Sequence, residues 1–227
     1  EYRKRQRICI RSIPSVMERL QSLLRQYNQS HKEDLMLAPW SKQYCEDVFP
    51  KYWEIVYSIL QTFDRSSKVL EIGCGLGDIT AILCYLGFKH VTSFEKDELI
   101  SHAAQRRISD MFGMKGIVKN ELFPNNKPYV ADLLILVNCA YADMAKTKQE
   151  YLGLMQMYYT CAGCPKHFLM EVIDSSYTQK NNKFPEHIRL SLKDVNDIFP
   201  NCDIRFWETY KYPINRKSKT LYLIERI

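Results

Sequence analysis

The chain has 227 residues, of which 46% are apolar and 26% charged, with a net charge of +6. This composition excludes wholesale disorder and fits one ordinary domain with an appendage. No segment reaches the ~18 apolar residues of a membrane helix and no signal peptide is visible, so we expect a cytoplasmic protein without membrane contact.

The eight cysteines are scattered along the chain. Since the chain is long enough to form a hydrophobic core without disulfide bonds, we interpret the cysteines as reduced thiols. Only Cys161 and Cys164 have the C-x-x-C spacing, and His167 is the one further ligand type close to them in sequence. A structural zinc site needs four ligands, so we expect no metal.

The first 65 residues predict a helical extension. Val16, Leu20, Leu24 and Tyr27 fall on one helical stripe, and a second stripe runs through 50–63. Another short helix is expected at 41–49. We therefore divide the chain into an α-helical N-terminal cap, residues 1–65, and a main domain, residues 66–227.

From residue 68 the pattern changes to strands that alternate with helices. Strands are expected at 68–72, 90–95, 116–119, 132–137, 167–173, 203–209 and 219–225, and helices at 79–86, 98–111, 146–159 and 191–199. The alternation predicts a doubly wound α/β fold with a seven-stranded, mostly parallel sheet. Only a turn separates the last two strands, so they should pair as a hairpin and give the sheet an antiparallel edge strand.

A glycine loop follows the first predicted strand. Gly73, Gly75 and Gly77 alternate with other residues and lead into a helix, which indicates a tight turn that a ligand approaches closely. Glu95 ends the next strand, where a carboxylate can accept both hydroxyls of a ribose. The spacing is not the G-x-G-x-x-G of dinucleotide folds, and Glu71 before the loop would repel a pyrophosphate but suits a ligand with a cationic end.

The run Glu71-Ile72-Gly73-Cys74-Gly75-Leu76-Gly77 resembles the first motif, E/D-x-G-x-G-x-G, of the class I, Rossmann-like S-adenosylmethionine-dependent methyltransferases. The resemblance extends from about residue 66 to the C-terminus and includes the closing strand pair. It implies S-adenosyl-L-methionine as the cofactor, with Glu95 on the ribose, Lys96 and Asn120 at the adenine and Asn138 at the sulfonium. The implied cofactor-binding set is Glu71, Gly73, Cys74, Gly75, Gly77, Glu95, Lys96, Asn120 and Asn138.

The methyl acceptor is less well indicated. Asn138-Cys139-Ala140-Tyr141 is similar to the N-P-P-Y motif of enzymes that methylate nucleobase amino groups, in which the Asn accepts from the amine and the aromatic ring stacks on the base. The proline is missing here. We therefore expect transfer to an oxygen or nitrogen of a small sugar-like or natural-product-like metabolite. An RNA or nucleobase acceptor, favoured by the positive charge, and a non-catalytic binding protein remain alternatives.

Methyl transfer from a sulfonium needs mostly positioning, and a base only where the nucleophile must lose a proton. The catalytic candidates are Asn138, Tyr141 and His187. His187 is the preferred base because it lies in the loop after the fifth strand, over the carboxyl edge of the sheet. The helical cap and this loop would form a lid over the acceptor, with the aromatic residues Trp40, Tyr44, Tyr52 and Trp53 as candidates for its lining.

Overall fold

A computed structural model describes residues 14–39, 51–139, 142–178, 184–211 and 217–227. The helices in these ranges are α1 (Pro14–Ser30), α2 (Asp34–Leu37), α3 (Lys51–Leu60), α4 (Asp78–Tyr85), α5 (Glu98–Phe112), α6 (Lys148–Cys161) and α7 (Leu192–Ile198). The strands are β1 (Lys68–Ile72), β2 (His90–Glu95), β3 (Val118–Asn120), β4 (Leu133–Leu136), β5 (His167–Asp174), β6 (Arg189–Leu190), β7 (Cys202–Lys211) and β8 (Lys217–Arg226). None of these helices has the length and apolarity that crossing a bilayer requires.

All eight strands belong to one sheet, in the order β3-β2-β1-β4-β5-β8-β7, with β6 paired to β5. Neighbours from β3 to β5 are parallel, whereas β8 is antiparallel to both β5 and β7. The chain order reverses where β1 lies between β2 and β4. Open α/β sheets bind their ligands at the carboxyl end of such a switch point, so the topology directs attention to the ends of β1, β2 and β4.

Helices cover both faces of the sheet, and the strands are apolar on both sides as a result. In β4, Leu133 and Ile135 pack into one hydrophobic cluster while Leu134 and Leu136 pack into the other. The first cluster contains residues of α1, α3, α4 and α5, and the second contains residues of α6 and α7. The doubly wound fold predicted from the alternating pattern is therefore confirmed.

The N-terminal helices share the core of the main domain. Leu20 and Leu24 of α1 and Trp53 and Val56 of α3 are fully buried in the same cluster as β1 and β4. The division at residue 65 into a cap and a domain remains a prediction. The helix expected at 41–49 lies outside the described residues.

The predicted hairpin of β7 and β8 forms one edge of the sheet, with β7 outermost and the reversed strand β8 next to it. One strand was not predicted. The two residues of β6 pair with Ile173 and Asp174 at the end of β5, and a segment this short has no period-two pattern by which a sequence reveals a strand.

Candidate functional site

The loop between β1 and α4 has a backbone that only glycine adopts readily. Gly73, Gly75 and Gly77 all have positive φ, at 67°, 56° and 77°. A side chain at these positions would be strained, so the alternating glycines are explained by conformation as well as by space for a ligand. The loop is fixed by a hydrogen bond from the Cys74 amide to the Phe94 carbonyl at 3.0 Å.

Glu95, at the end of β2, connects the neighbouring strand to the glycine loop. Its Oε2 accepts from the Gly75 amide at 3.0 Å, and its Oε1 accepts from the Asp97 amide at 3.0 Å. The residue is 9% exposed. Each carboxylate oxygen can accept a further hydrogen bond, which leaves room for two hydroxyl donors.

Glu71, at the end of β1, lies beneath the loop and is almost completely buried. Its Oε2 accepts from Thr80 Oγ1 at 2.6 Å and from Ser93 Oγ at 2.8 Å. Burial raises the pKa of this carboxyl to about 7, although the two hydroxyl donors act in the opposite direction. A positive ligand group nearby would favour the ionised form, so Glu71 is suited to respond to a cationic ligand.

A buried ion pair fixes the start of α4. Arg107 of α5 donates from one guanidinium nitrogen to Asp78 Oδ1 at 2.8 Å and to the Leu76 carbonyl at 2.9 Å. The side chains are 1% and 6% exposed. On the opposite side, Trp53 Nε1 donates to the Asp78 carbonyl at 2.9 Å, which brings α3 to the rim of the loop.

A cavity of about 120 Å³ opens at the carboxyl ends of β1, β2 and β4. Its lining consists of Glu71, Gly73, Cys74, Gly75, Asp78, Ile79, Glu95, Val137, Asn138 and Cys139. The volume is below the roughly 300 Å³ of sites that enclose a whole drug-sized ligand. This cavity is therefore large enough for only part of such a ligand.

A larger cavity, of about 390 Å³, lies at the opposite edge of the sheet, among the amino ends of β1 and β2. Lys68, His90 and Val130 are among its lining residues. It contains neither the glycine loop nor the acids, and open parallel sheets bind ligands at their carboxyl edge. We therefore assign function to the smaller cavity.

Six of the sequence-predicted residues line this cavity together, namely Glu71, Gly73, Cys74, Gly75, Glu95 and Asn138. Gly77 belongs to the same loop. Asn120 and Lys96 lie nearby but are not among the lining residues. Asn120 pairs with Glu95 in the sheet register, and its Nδ2 donates to the carbonyls of Glu95 and Lys96 at 3.2 Å and 3.1 Å.

The remaining candidates are dispersed. Lys96 is exposed, and its Nζ lies 3.4 Å from Asp143 in the loop after β4. His187 is in a single 3-10 turn, Glu186–Ile188, that packs against α6 and is not part of the cavity lining. Tyr141, Trp40 and Tyr44 lie outside the described residues. The roles predicted for these side chains stay predictions.

A polar cluster beside Asn138 was not anticipated from the sequence. Asn138 has a positive φ of 56°. Its side chain is hydrogen-bonded to Lys219 of β8, and its backbone N–H is hydrogen-bonded to Glu171 of β5.

Four further residues line the cavity and were not predicted from the sequence, namely Asp78, Ile79, Val137 and Cys139. Each lies within two positions of a predicted site residue, so sequence position could have indicated them. Lys219 and Glu171 are distant in sequence and carry no motif.

The described residues contain no group of three or more His, Cys, Asp and Glu side chains arranged to hold a metal ion. Cys161 and Cys164 are free thiols.

No protein-family model matches the chain, and no curated protein sequence matches it significantly. Solved structures do match. Magnesium protoporphyrin IX methyltransferase from Synechocystis, with bound S-adenosylmethionine, aligns with a TM-score of 0.58 at 14% identity over 91% of this chain and 97% of that one. An S-adenosylmethionine-dependent methyltransferase from Clostridium acetobutylicum aligns with a TM-score of 0.57 at 14% identity, over 88% and 98% of the two chains.

A third similar structure is an O-methyltransferase of neocarzinostatin biosynthesis, in complex with S-adenosylmethionine and 2-hydroxy-5-methyl naphthoic acid. It aligns with a TM-score of 0.52 at 16% identity, over 86% of this chain and 60% of that one. At such identities the likeness establishes the fold. This chain has the Rossmann-like fold of the class I S-adenosylmethionine-dependent methyltransferases.

Proposed function

We propose that this protein is a methyltransferase that uses S-adenosyl-L-methionine and methylates an oxygen or nitrogen atom of a small molecule. One observation carries the proposal. Two glycines with positive φ, Gly73 and Gly75, meet Glu71 and Glu95 at a single cavity, which lies at the switch point of a sheet with the methyltransferase fold. A ribose hydroxyl pair fits Glu95, and a cationic methionine portion fits the side of the cavity where Glu71 lies.

The charge of the cavity lining supports a small acceptor. Helix α3 reaches the start of α4 beside the cavity through the hydrogen bond from Trp53 Nε1 to the Asp78 carbonyl, and Cys139 lines the cavity. The lining includes three acids, Glu71, Asp78 and Glu95, and among the described residues no Lys or Arg, which favours a small acceptor over the phosphate backbone of RNA.

In such a site the chain's own residues bind, orient and exclude water. When bound, the cofactor supplies an activated methyl group on a sulfonium. Glu95 and the glycine loop would hold the ribose, and Asn138 and Cys139, which line the same cavity, would border the acceptor. Positioning of this kind accounts for much of the rate in an in-line displacement.

Two measurements test this function. Calorimetry with S-adenosylhomocysteine tests the cofactor site, and absence of binding would refute the proposal. Methyl-labelled S-adenosylmethionine is then incubated with the protein and either the low-molecular-weight fraction or the RNA of a cell extract. We expect label in the first. Label in RNA that is lost steeply with added salt would support the nucleic-acid alternative, and binding without any transfer would support a non-catalytic protein.

A further inference from the structure

Two residues of the C-terminal half of the sheet hold Asn138. Lys219 Nζ donates to Asn138 Oδ1 at 2.8 Å, although the residues are 81 positions apart. The Asn138 backbone N–H donates to Glu171 Oε1 at 3.2 Å. The loop after β4 is thus fixed both by its backbone and by the tip of its polar side chain.

The supporting network is buried and balanced in charge. Lys219 Nζ lies 3.4 Å from Glu171 Oε1, and their side chains are 14% and 2% exposed. Glu171 Oε2 accepts from Thr209 Oγ1 at 2.8 Å, and Thr209 is itself buried. Because each buried charge has its partner, the cluster holds one geometry, and it supports the left-handed backbone of Asn138.

Chemistry fixes which end of the Asn138 amide meets the lysine. An ammonium group has only donors, so it must face the carbonyl oxygen Oδ1. Asn138 also lines the cavity, between Val137 and Cys139. Since Oδ1 is bonded to Lys219, Nδ2, a donor, is the end of the amide that remains available to a ligand in the cavity.

We propose that Lys219 and Glu171 are positioning residues that present Nδ2 of Asn138 to the methyl acceptor and thereby select an oxygen nucleophile. The inference rests on the proposed function and narrows its substrate class. An acceptor oxygen attacks the methyl with one lone pair and accepts from Nδ2 with another. An amino nitrogen has a single lone pair, which the methyl takes, and its N–H would then oppose the Nδ2 donor.

The transfer balances without a further reactant. The oxygen lone pair forms the O–CH₃ bond while the S–CH₃ bond breaks and leaves its electron pair on sulfur as a thioether. A carboxylate needs no base, and a hydroxyl acceptor passes its proton to water. This arrangement is the reverse of the nucleobase motif to which the Asn138 segment is similar, in which the asparagine accepts from an amine.

The test uses two cofactor analogues and needs no acceptor. Sinefungin carries an ammonium group where the sulfonium methyl lies, and S-adenosylhomocysteine has nothing there. We expect wild-type protein to bind sinefungin no more tightly than S-adenosylhomocysteine, because the ammonium meets a donor. The double variant Lys219→Met/Glu171→Gln releases Oδ1 without leaving an unpaired buried charge. Its affinity for sinefungin relative to S-adenosylhomocysteine should rise about tenfold, the effect of one charge-assisted hydrogen bond.

Lys219→Arg keeps a donor for Oδ1, so it should retain the wild-type ratio of the affinity for sinefungin to the affinity for S-adenosylhomocysteine. Lys166→Met alters a largely exposed lysine and should retain the same ratio. Sinefungin that binds wild-type protein more tightly than S-adenosylhomocysteine would overturn the inference, as would an unchanged ratio in the double variant. If the double variant does not fold, the affinities of wild-type protein for the two analogues still test the inference. Failure of wild-type protein to bind either ligand would instead refute the proposed function.

Discussion

The Glu95 carboxylate accepts a hydrogen bond from the Gly75 amide at 3.0 Å across 20 positions of sequence. The end of β2 therefore fixes the loop after β1, and the residue expected to bind the ribose also shapes the loop that borders it. Because one carboxylate both shapes the glycine loop and is expected to bind the ribose, a Glu95 variant can change the stability of the fold and the affinity for the ligand. Both quantities must therefore be measured.

Glu95→Ala should weaken binding of S-adenosylhomocysteine by at least about tenfold, because hydrogen bonds to a charged acceptor are lost. Calorimetry measures the dissociation constant. Glu95→Gln retains an oxygen for the Gly75 amide, so it should be closer to wild-type stability while still binding more weakly. Glu98→Ala, at an exposed acid three residues on, is the control. Unaltered affinity in Glu95→Ala would contradict the ribose assignment.

Gly75→Ala should reduce both stability and affinity. Its φ of 56° makes a Cβ unfavourable by about 1–2 kcal/mol, and Gly75 lines the cavity in which we propose that the ligand binds. Gly87→Ala is the matched control, with a φ of +85° and open space around the added carbon. Denaturant titration should show losses in both variants, whereas only Gly75→Ala should bind S-adenosylhomocysteine more weakly. Equal affinities would show that the ligand does not approach the loop.

Glu71 should make stability depend on pH. Burial raises its pKa from 4.5 to about 7, so the folded state holds the proton more tightly than the unfolded chain. The resulting stabilisation is complete below the unfolded pKa and is lost as pH rises through the folded pKa. Glu71→Gln mimics the protonated acid. Relative to this variant, the free energy of unfolding of wild-type protein should fall by roughly 3 kcal/mol across that interval.

Urea titrations at a series of pH values measure this difference. If the difference in free energy of unfolding between wild-type and Glu71→Gln protein does not change with pH, the Glu71 carboxyl titrates in the folded state as it does in the unfolded chain.

Arg107→Met should be strongly destabilising, by roughly 3–5 kcal/mol, because it leaves the buried Asp78 carboxylate without its cation. It should also weaken binding of S-adenosylhomocysteine, since Arg107 holds the Leu76 carbonyl of the glycine loop. Lys193→Met, which removes an exposed ion pair with Asp197, is the control and should leave the unfolding curve unchanged. Similar curves for both variants would show that the buried pair adds nothing to stability.

The sequence by itself determined the α/β fold, the position of the glycine loop and the placement of Glu71 and Glu95 at strand ends. These follow from local patterns: apolar strands buried on both faces, glycines where φ must be positive, and chain order in a parallel sheet. For this reason the predicted ends of the strands and helices in residues 66–227 lie within a few residues of the observed ends. The exception is β6, whose two residues are too few to show a period-two pattern.

Only the tertiary structure decided what surrounds Asn138. Lys219, Glu171 and Thr209 come from three different strands and meet at Asn138 because β8 folds back between β5 and β7. Contacts that join residues so far apart depend on the register of antiparallel pairing, which no local pattern carries. In the same way, the Trp53 bond to the Asp78 carbonyl exists only because α3 packs on the face that carries α4. Local physics places the glycine loop, and long-range packing places the polar cluster at Asn138.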